Sequence, residues 1–209
     1  HTRPSREILN VIRPGAGNGT VQKIFIGRQR NYQLRRFIIP VKFIDADLRI
    51  GWLFIDEVLR DRIRLTPGAR TLVATMRANG TRTCMVSGGF THFTDRIAAM
   101  IGFDQTRANR LTVVDGHKLA GKVAEPIFGR DGKRAALVEL RKELDLAKHE
   151  TMAIGDGAND MDMIAEAGLG VAFHAKPKVA AAAPARIDYS DLTALLYLQG
   201  YRKDEFVKG

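Results

Sequence analysis

The residue types best suited to chemistry cluster in the stretch AIGDGANDMDMIAEAG at residues 153–168. Asp156, Asn159 and Asp160 place two carboxylates and one amide within five residues, directly after the apolar run 152–154. Oxygen atoms of this kind are the ligands that Mg²⁺ prefers. A glycine on each side of Asp156 permits a sharp turn, which would present the carboxylate beyond the end of a strand. Taken alone, the pattern fits a metal site and an aspartate-capped helix equally well.

Two further candidate groups lie at the ends of other predicted elements. Ser87 and Gly88 follow the apolar run 83–86 and offer a hydroxyl and a backbone N–H. Lys133 lies in the first turn of a predicted helix, where a cation opposes the helix dipole and where a solvated surface lysine is the ordinary explanation. A hydroxyl, a cation and a metal-binding carboxylate are what phosphoryl transfer needs. We therefore expect Ser87, Lys133 and Asp156 to lie within about 10 Å of one another around one phosphate.

The elements that would position these groups follow from apolar periodicity. The runs 83–86, 152–154 and 169–173 predict buried strands, the first of them ending at Ser87. Helical spacing predicts the intervening helices, and Thr66 and Pro67 are expected to be the cap and first residue of the first one. Because strands and helices alternate from 66 to 198, we predict a Rossmann-like α/β fold with a mainly parallel sheet. Ligands of such sheets bind beyond the carboxyl ends of the strands.

Residues 103–129 show a different pattern and predict a β-ribbon insertion. Apolar segments at 111–114 and 123–127 are joined by the turn residues Asp115 and Gly116.

Composition limits the class of protein. The chain has 209 residues, 45% of them hydrophobic, which is enough for one domain with a core. It has no apolar run of the roughly 18 residues that a membrane span requires, and no secretory signal pattern. Cys84 is the single cysteine, so an internal disulfide is impossible and a reducing cytoplasm is the expected location. The sequence does not indicate the oligomeric state.

The formal charge of +10 is concentrated near the amino terminus, where residues 1–52 hold ten Lys or Arg against three Asp or Glu. Such asymmetry can indicate nucleic-acid binding. The segment lacks aromatic residues interleaved with basic ones, so we treat this function as the weakest alternative. We divide the chain into an atypical basic segment, 1–54, expected to be poorly ordered, and a core domain, 55–209.

From about residue 55 to the end, the sequence resembles the bacterial phosphoserine phosphatases of the haloacid dehalogenase superfamily. The resemblance rests on the segments DEVLRDRIRLTPGARTLV, CMVSGGFTHFTDRIA, ANRL with the following DG, GRDGKRAAL, IGDGANDMDMI and GLGVAFHAKP. It implies a haloacid dehalogenase-type fold and Mg²⁺-dependent hydrolysis of phosphoserine to serine and phosphate, the last step of serine biosynthesis. By this resemblance Ser87 and Gly88 bind the phosphate, Lys133 is the cation that faces it, and Asp156 binds the metal. Asn159 and Asp160 would support the phosphate, Lys133 and the metal shell.

The sequence departs from this family upstream of residue 55. The family's first strand ends in Asp-x-Asp-x-Thr, whose first Asp attacks phosphorus and whose second acts as acid and then base, and a helical cap follows. The nearest sequence here is Asp45-Ala46-Asp47-Leu48-Arg49, with Arg49 in place of the Thr. Asp45 would be the nucleophile and a metal ligand, and Asp47 the acid and base. We expect residues 1–54 to be foreign to the family and the cap to be missing or degenerate.

Three functions remain open at this point. The first is a phosphoserine phosphatase that uses Mg²⁺. The second is a catalytically inactive domain of the same fold that binds phosphate and Mg²⁺. The third is nucleic-acid binding through residues 1–52. Because no complete Asp-x-Asp-x-Thr sequence lies upstream of residue 55, we expect the chain to be poorly active or inactive.

Overall fold

A computed structural model of the chain describes residues 24–27, 63–114 and 118–209. The strands of the described part are β1 (Ile24–Gly27), β2 (Arg82–Phe90), β3 (Gln105–Asn109), β4 (Leu111–Val114), β5 (Lys118–Val123), β6 (Thr151–Gly155), β7 (Leu169–Phe173) and β8 (Ala185–Ile187). Six of them form a wholly parallel sheet in the order β3-β2-β1-β6-β7-β8, and β4 and β5 form a two-stranded antiparallel ribbon. The predicted α/β class with a parallel sheet is confirmed.

The described part also contains six α-helices. They are α1 (Ala69–Ala78), α2 (Thr91–Ile101), α3 (Arg130–Glu143), α4 (Met161–Glu166), α5 (Pro177–Ala182) and α6 (Ala194–Leu198). Short 3-10 turns at Lys148–Glu150, Ala158–Asp160 and Lys203–Glu205 complete the connections. No helix within these described ranges has the length and apolar character needed to cross a membrane.

The core lies on both faces of the sheet because successive strand residues point to opposite sides. Met85, Met152 and Ile154 pack on one face with side chains of α1, α2 and α6. Cys84 and Ala153 pack on the other face with Leu137 and Leu140 of α3 and Met163 of α4. The helices on both faces leave the carboxyl ends of the strands as the place where loops meet.

The start of α1 differs from the prediction. Its cap is Gly68, not Thr66, and Pro67 lies in the turn before the helix. The Thr66 carbonyl accepts a hydrogen bond from the Ala69 N–H at 3.1 Å, which closes that turn. Gly68 has φ of 79°, and a Cβ there would lie 2.8 Å from the backbone nitrogen of Thr193. Packing against the segment before α6 therefore sets the left-handed residue at which the helix begins.

Two strands also differ from expectation. β2 does not end at Ser87 but continues to Phe90, with a shift of register against β3 between Val86 and Phe90. The ribbon is present, with Leu111 opposite Val123. Its second strand covers Lys118–Val123 and not 123–127, because Pro126 has no N–H to donate to a partner strand. Residues 105–109, within the range assigned to the ribbon, form the edge strand of the main sheet.

The expected turn at Asp115 and Gly116 lies outside the described residues, as does most of the segment 1–54, so the expectation of a missing or degenerate cap stays a prediction. Within that segment the structure describes β1, which lies between β2 and β6.

Candidate functional site

Register across the sheet brings the serine and aspartate segments to one level. Gly27 of β1 pairs with Met85 of β2 and with Ile154 of β6. Ser87 and Asp156 therefore both lie two residues beyond that level, on either side of β1. Neighbouring strands are about 4.8 Å apart, so β2 and β6 are separated by about 10 Å. This edge is where parallel α/β sheets bind ligands.

Lys133 joins this edge from α3. Its Nζ atom donates to Oδ1 of Asp160 at 2.5 Å, and neither side chain has any exposed surface. The second carboxylate oxygen of Asp160 accepts the N–H groups of Asp156 at 3.2 Å and of Gly157 at 3.0 Å. Asp160 therefore connects the lysine helix to the loop that carries Asp156, which a lysine on a solvated surface would not require.

The last residue of β6 is a glycine for a steric reason. A Cβ at Gly155 would lie 2.3 Å from Cβ and 2.7 Å from Cγ of Asp160. The Asp160 side chain thus folds back onto the end of the strand, and only glycine leaves room for it.

Four further predicted site residues, Ser87, Gly88, Asp156 and Asn159, are among the described residues. Ser87 is buried, with 7% of its surface exposed, and its Oγ accepts the Gly89 N–H at 3.0 Å. Asp156 and Asn159 are half-buried, and Gly88 is exposed. The Asp156 carbonyl accepts the Lys176 N–H at 3.1 Å, which ties the loop after β7 to the site. Asp45 and Asp47 lie outside the described residues.

The donor set fits part of a magnesium site. Among the described residues there is no group of three His, Cys, Asp or Glu side chains that could hold a metal ion. Asp160 is engaged by Lys133, so Asp156 is the carboxylate at this edge that suits a cation. Mg²⁺ is commonly held by one or two carboxylates, with water and phosphate oxygens completing its shell. The described residues therefore fit such a site with Asp156 as one of its ligands.

One residue of the site was not singled out from the sequence. Asn109, at the end of β3, is 7% exposed and hydrogen bonds to both Gly88 and Phe128. It appeared only inside the ANRL segment. The signal that could have found it was an amide side chain at a strand end, directly before the ribbon.

Ion pairs between α3 and α4 brace the lysine helix from outside. Arg130 pairs with Asp162, and the Arg130 hydrogen bond lowers the pKa of that carboxyl. Glu166 pairs with Arg134 and with Arg141, each at 3.0 Å. Hydrogen bonding by Arg134 is the main cause that lowers the pKa of Glu166. The pairs hold α4, which follows Asp160, against the helix that carries Lys133.

Two histidines of the described part, His92 and His174, and the cysteine have ordinary structural positions. His174, at the end of β7, has φ of 44°, and its Nε2 lies 2.8 Å from the Ser190 carbonyl. His92 lies in the first turn of α2, and partial burial lowers its pKa. Cys84 is fully buried in the core, where desolvation raises the pKa of the thiol to about 12.

Curated relatives are similar over most of this chain. It is 45% identical over 151 residues to phosphoserine phosphatase of Streptomyces coelicolor, and this alignment covers 72% of this chain and 36% of that protein. It is 45% identical over 148 residues to phosphoserine phosphatase of Polaromonas, covering 69% and 62%. The match to a probable phosphoserine phosphatase of Schizosaccharomyces pombe is 43% identical over 184 residues, covering 87% and 59%. The chain thus spans between about a third and two thirds of these relatives.

Solved structures show the same fold. The probable phosphoserine phosphatase of Vibrio cholerae in its unliganded form gives a TM-score of 0.67 at 28% identity, covering 87% of this chain and 65% of that one. A phosphoserine phosphatase solved as a phospho-aspartyl intermediate analogue gives 0.67 at 27% identity, covering 84% and 98%.

The family assignment rests on more than half of the sequence. The sequence model of the haloacid dehalogenase-like hydrolases matches residues 45–165, a range that includes Ser87, Lys133 and Asp156 and begins at Asp45. The chain therefore belongs to the haloacid dehalogenase-like hydrolase family.

Proposed function

We propose that the chain carries a phosphoserine phosphatase site, which hydrolyses O-phospho-L-serine to L-serine and phosphate with Mg²⁺ as cofactor. The observation that carries the proposal is the buried Lys133–Asp160 pair, tied by hydrogen bonds to the loop of Asp156. A buried cation beside a strand-end carboxylate suits a dianionic phosphate better than a neutral ligand. The substrate class is supported by the 45% identity to the Streptomyces coelicolor phosphoserine phosphatase.

The site residues that the structure describes have distinct roles in the proposed reaction. Ser87 donates its hydroxyl, and Gly88 its N–H, to the phosphoryl oxygens. Lys133 neutralises their charge, while Asp160 fixes the ammonium group and the loop of Asp156. Asp156 would hold Mg²⁺, which when bound supplies further positive charge to the phosphoryl group. Asn159, half-buried beside them, would help to hold the phosphate and Lys133.

The nucleophile of the proposed reaction is Asp45. Its carboxylate oxygen would form a bond to phosphorus as the bond from phosphorus to the serine oxygen breaks, and Asp47 would protonate that oxygen. Water would then hydrolyse the aspartyl-phosphate, giving up its proton to Asp47. The family match that begins at residue 45 supports this choice. The match to the Schizosaccharomyces pombe protein also supports it. That alignment covers 87% of this chain and therefore must include residues upstream of 55.

Other observations favour the second candidate function, an inactive domain that binds phosphate and Mg²⁺. The strand between β2 and β6 is β1, and the first acidic residue after it in the sequence is Asp45, many positions beyond Gly27. Arg49 also replaces the family's threonine. Positioning groups without an attacking carboxylate give little turnover, so low activity is the expected result. A cytoplasmic location and a place in serine biosynthesis belong to the first proposal, that of an active phosphoserine phosphatase.

The decisive experiment measures phosphate release from phosphoserine with and without Mg²⁺. The wild-type chain is compared with Asp45→Asn, Asp156→Asn and, as a matched control, Asp204→Asn, whose side chain is 71% exposed. Activity that requires Mg²⁺ and is lost in the first two variants alone supports the phosphatase with Asp45 as nucleophile. Phosphate binding without turnover supports the inactive domain. Robust activity in Asp45→Asn overturns the proposed mechanism.

A separate measurement tests the nucleic-acid alternative. A salt-dependent mobility shift with random-sequence DNA would favour binding through residues 1–52.

A further inference from the structure

The side chain of Asn109 bonds two segments that the chain brings together from different directions. Its Nδ2 donates to the Gly88 carbonyl and to the Phe128 carbonyl, both at 3.1 Å. Its Oδ1 accepts the Phe128 N–H at 2.6 Å. An amide offers two N–H donors and a carbonyl, and here both donors and the carbonyl are used. The pattern fixes the orientation of the amide, because a flipped group would turn its oxygen toward two carbonyls.

The bond to Gly88 also orients the serine. In a trans peptide the C=O of Gly88 and the N–H of Gly89 share one plane and point in opposite directions. The C=O points to Asn109, and the N–H donates to Ser87 Oγ at 3.0 Å. That bond takes one lone pair of the hydroxyl and leaves its O–H to donate elsewhere. Asn109 thus acts on Ser87 through one peptide plane.

The bonds to Phe128 act on the lysine helix in the same way. Phe128 precedes Gly129, the cap of α3, and the Gly129 carbonyl accepts the Lys133 N–H at 3.1 Å. The Phe128 ring packs over the first turn, since a Cβ at Gly132 would lie 3.0 Å from its Cδ2 atom. With both backbone groups of Phe128 held by Asn109, the start of α3 is fixed relative to β2.

We propose that Asn109 is a positioning residue that holds Ser87 and the Lys133 helix at the separation needed to bind one phosphoryl group together. The ligand in this statement rests on the proposed function, whereas the coupling of the two segments does not. Asn109 itself touches neither Ser87 nor Lys133 in the bonds described. It acts through Gly88 on one side and Phe128 on the other.

The first variant is Asn109→Asp, which keeps the shape, removes both N–H donors and adds a negative charge. A carboxylate would face the Gly88 and Phe128 carbonyls and repel both, while its bond from the Phe128 N–H would survive. Asn109→Ala is the second variant, because it removes all three bonds without adding charge. The matched control is Asn79→Asp. The Asn79 side chain also donates to a backbone carbonyl, that of Thr75 at 2.8 Å, but at the opposite edge of the sheet.

The test combines two readouts on the full chain. Amide hydrogen exchange followed by NMR measures the exchange rates of the Phe128 and Gly89 N–H groups. Calorimetry measures the affinity of the site for inorganic phosphate in the presence of Mg²⁺. In both Asn109 variants we expect faster exchange at Gly89, which Asn109 does not contact, and in Asn109→Ala we expect it at Phe128 as well. We expect phosphate binding to weaken by about tenfold or more, and Asn79→Asp to leave both readouts unchanged.

Other results would overturn the proposal. Faster exchange at Phe128 alone, with Gly89 and the phosphate affinity unchanged, would mean that Asn109 braces only the loop before α3. Uniformly faster exchange throughout the sheet would mean a general loss of stability. If the wild-type chain binds no phosphate, the proposed function fails, and the exchange rates at the two amides still decide the coupling.

Discussion

The Nζ atom of Lys133 lies 2.5 Å from Oδ1 of Asp160, and both side chains are fully buried. Burying two charges costs several kcal/mol per ion, which a close contact repays only when further hydrogen bonds satisfy the pair. The Gly157 N–H, 3.0 Å from the other Asp160 oxygen, contributes such a bond. The pair is therefore costly to build and sensitive to the loss of either charge, as expected of residues kept for a site.

Asp160→Asn should destabilise the chain by about 3–5 kcal/mol, because the buried ammonium group of Lys133 loses this counter-ion. Urea denaturation measures the change. Asp204→Asn is the control, since Asp204 and Arg202 pair at 3.2 Å with side chains 71% and 74% exposed. Removing such an exposed pair should cost at most about 1 kcal/mol. Equal, small losses in the two variants would show that burial does not govern the Lys133–Asp160 pair.

Gly155→Ala should also destabilise the chain, by about 1–3 kcal/mol or more, because the new methyl group would overlap Asp160 and force it off the strand end. The distance that decides this is the 2.3 Å that would separate the new methyl carbon from Asp160 Cβ. Gly129→Ala is the control, since a Cβ there meets nothing within 4 Å. Thermal denaturation of both variants checks the prediction, and a neutral Gly155→Ala would contradict the packing described.

The sequence was sufficient for features that depend on local apolar patterns. The runs 152–154 and 169–173 lie inside fully or largely buried strands, and Leu72, Val73 and Met76 form the buried face of α1. The position of Ser87 and Asp156 at one edge of the sheet could be anticipated because parallel strands end at the same edge. These inferences need only periodicity and a rule about sheets.

The features that the sequence did not reveal depend on contacts between distant segments. β3 has no apolar run, because four of its five residues are half-buried at the sheet edge. The left-handed Gly68 is set by packing against Thr193, and no local pattern near Thr66 records that contact. The Asn109 bonds are made to backbone atoms, which every residue type supplies.

Cys84 should not react with Ellman's reagent at pH 8 in the folded chain. Reaction requires an accessible thiolate, and Cys84 is buried with its pKa raised to about 12 by desolvation. In concentrated urea the same chain should displace about one equivalent of the coloured thionitrobenzoate anion from the reagent, as expected from a single cysteine. Rapid reaction of the folded chain would mean that the face of the sheet beneath α3 opens readily.

Glu166→Gln should lower the free energy of unfolding at pH 7 by about 1 kcal/mol or less, since its ion pairs with Arg134 and Arg141 lie partly in solvent. The difference should shrink as the pH falls. The Arg134 hydrogen bond holds the folded pKa of Glu166 below its ordinary value of 4.5, so the unfolded chain takes up the proton first. The stabilisation is therefore complete above pH 4.5 and is lost as the pH falls through the folded pKa.

Urea denaturation from pH 7 downward, in low and high salt, measures the contribution of Glu166 to the free energy of unfolding. Glu139→Gln, an exposed carboxylate on α3, is the control. A difference that stays constant down to the acid limit would mean that Glu166 stabilises the chain by packing and not by charge.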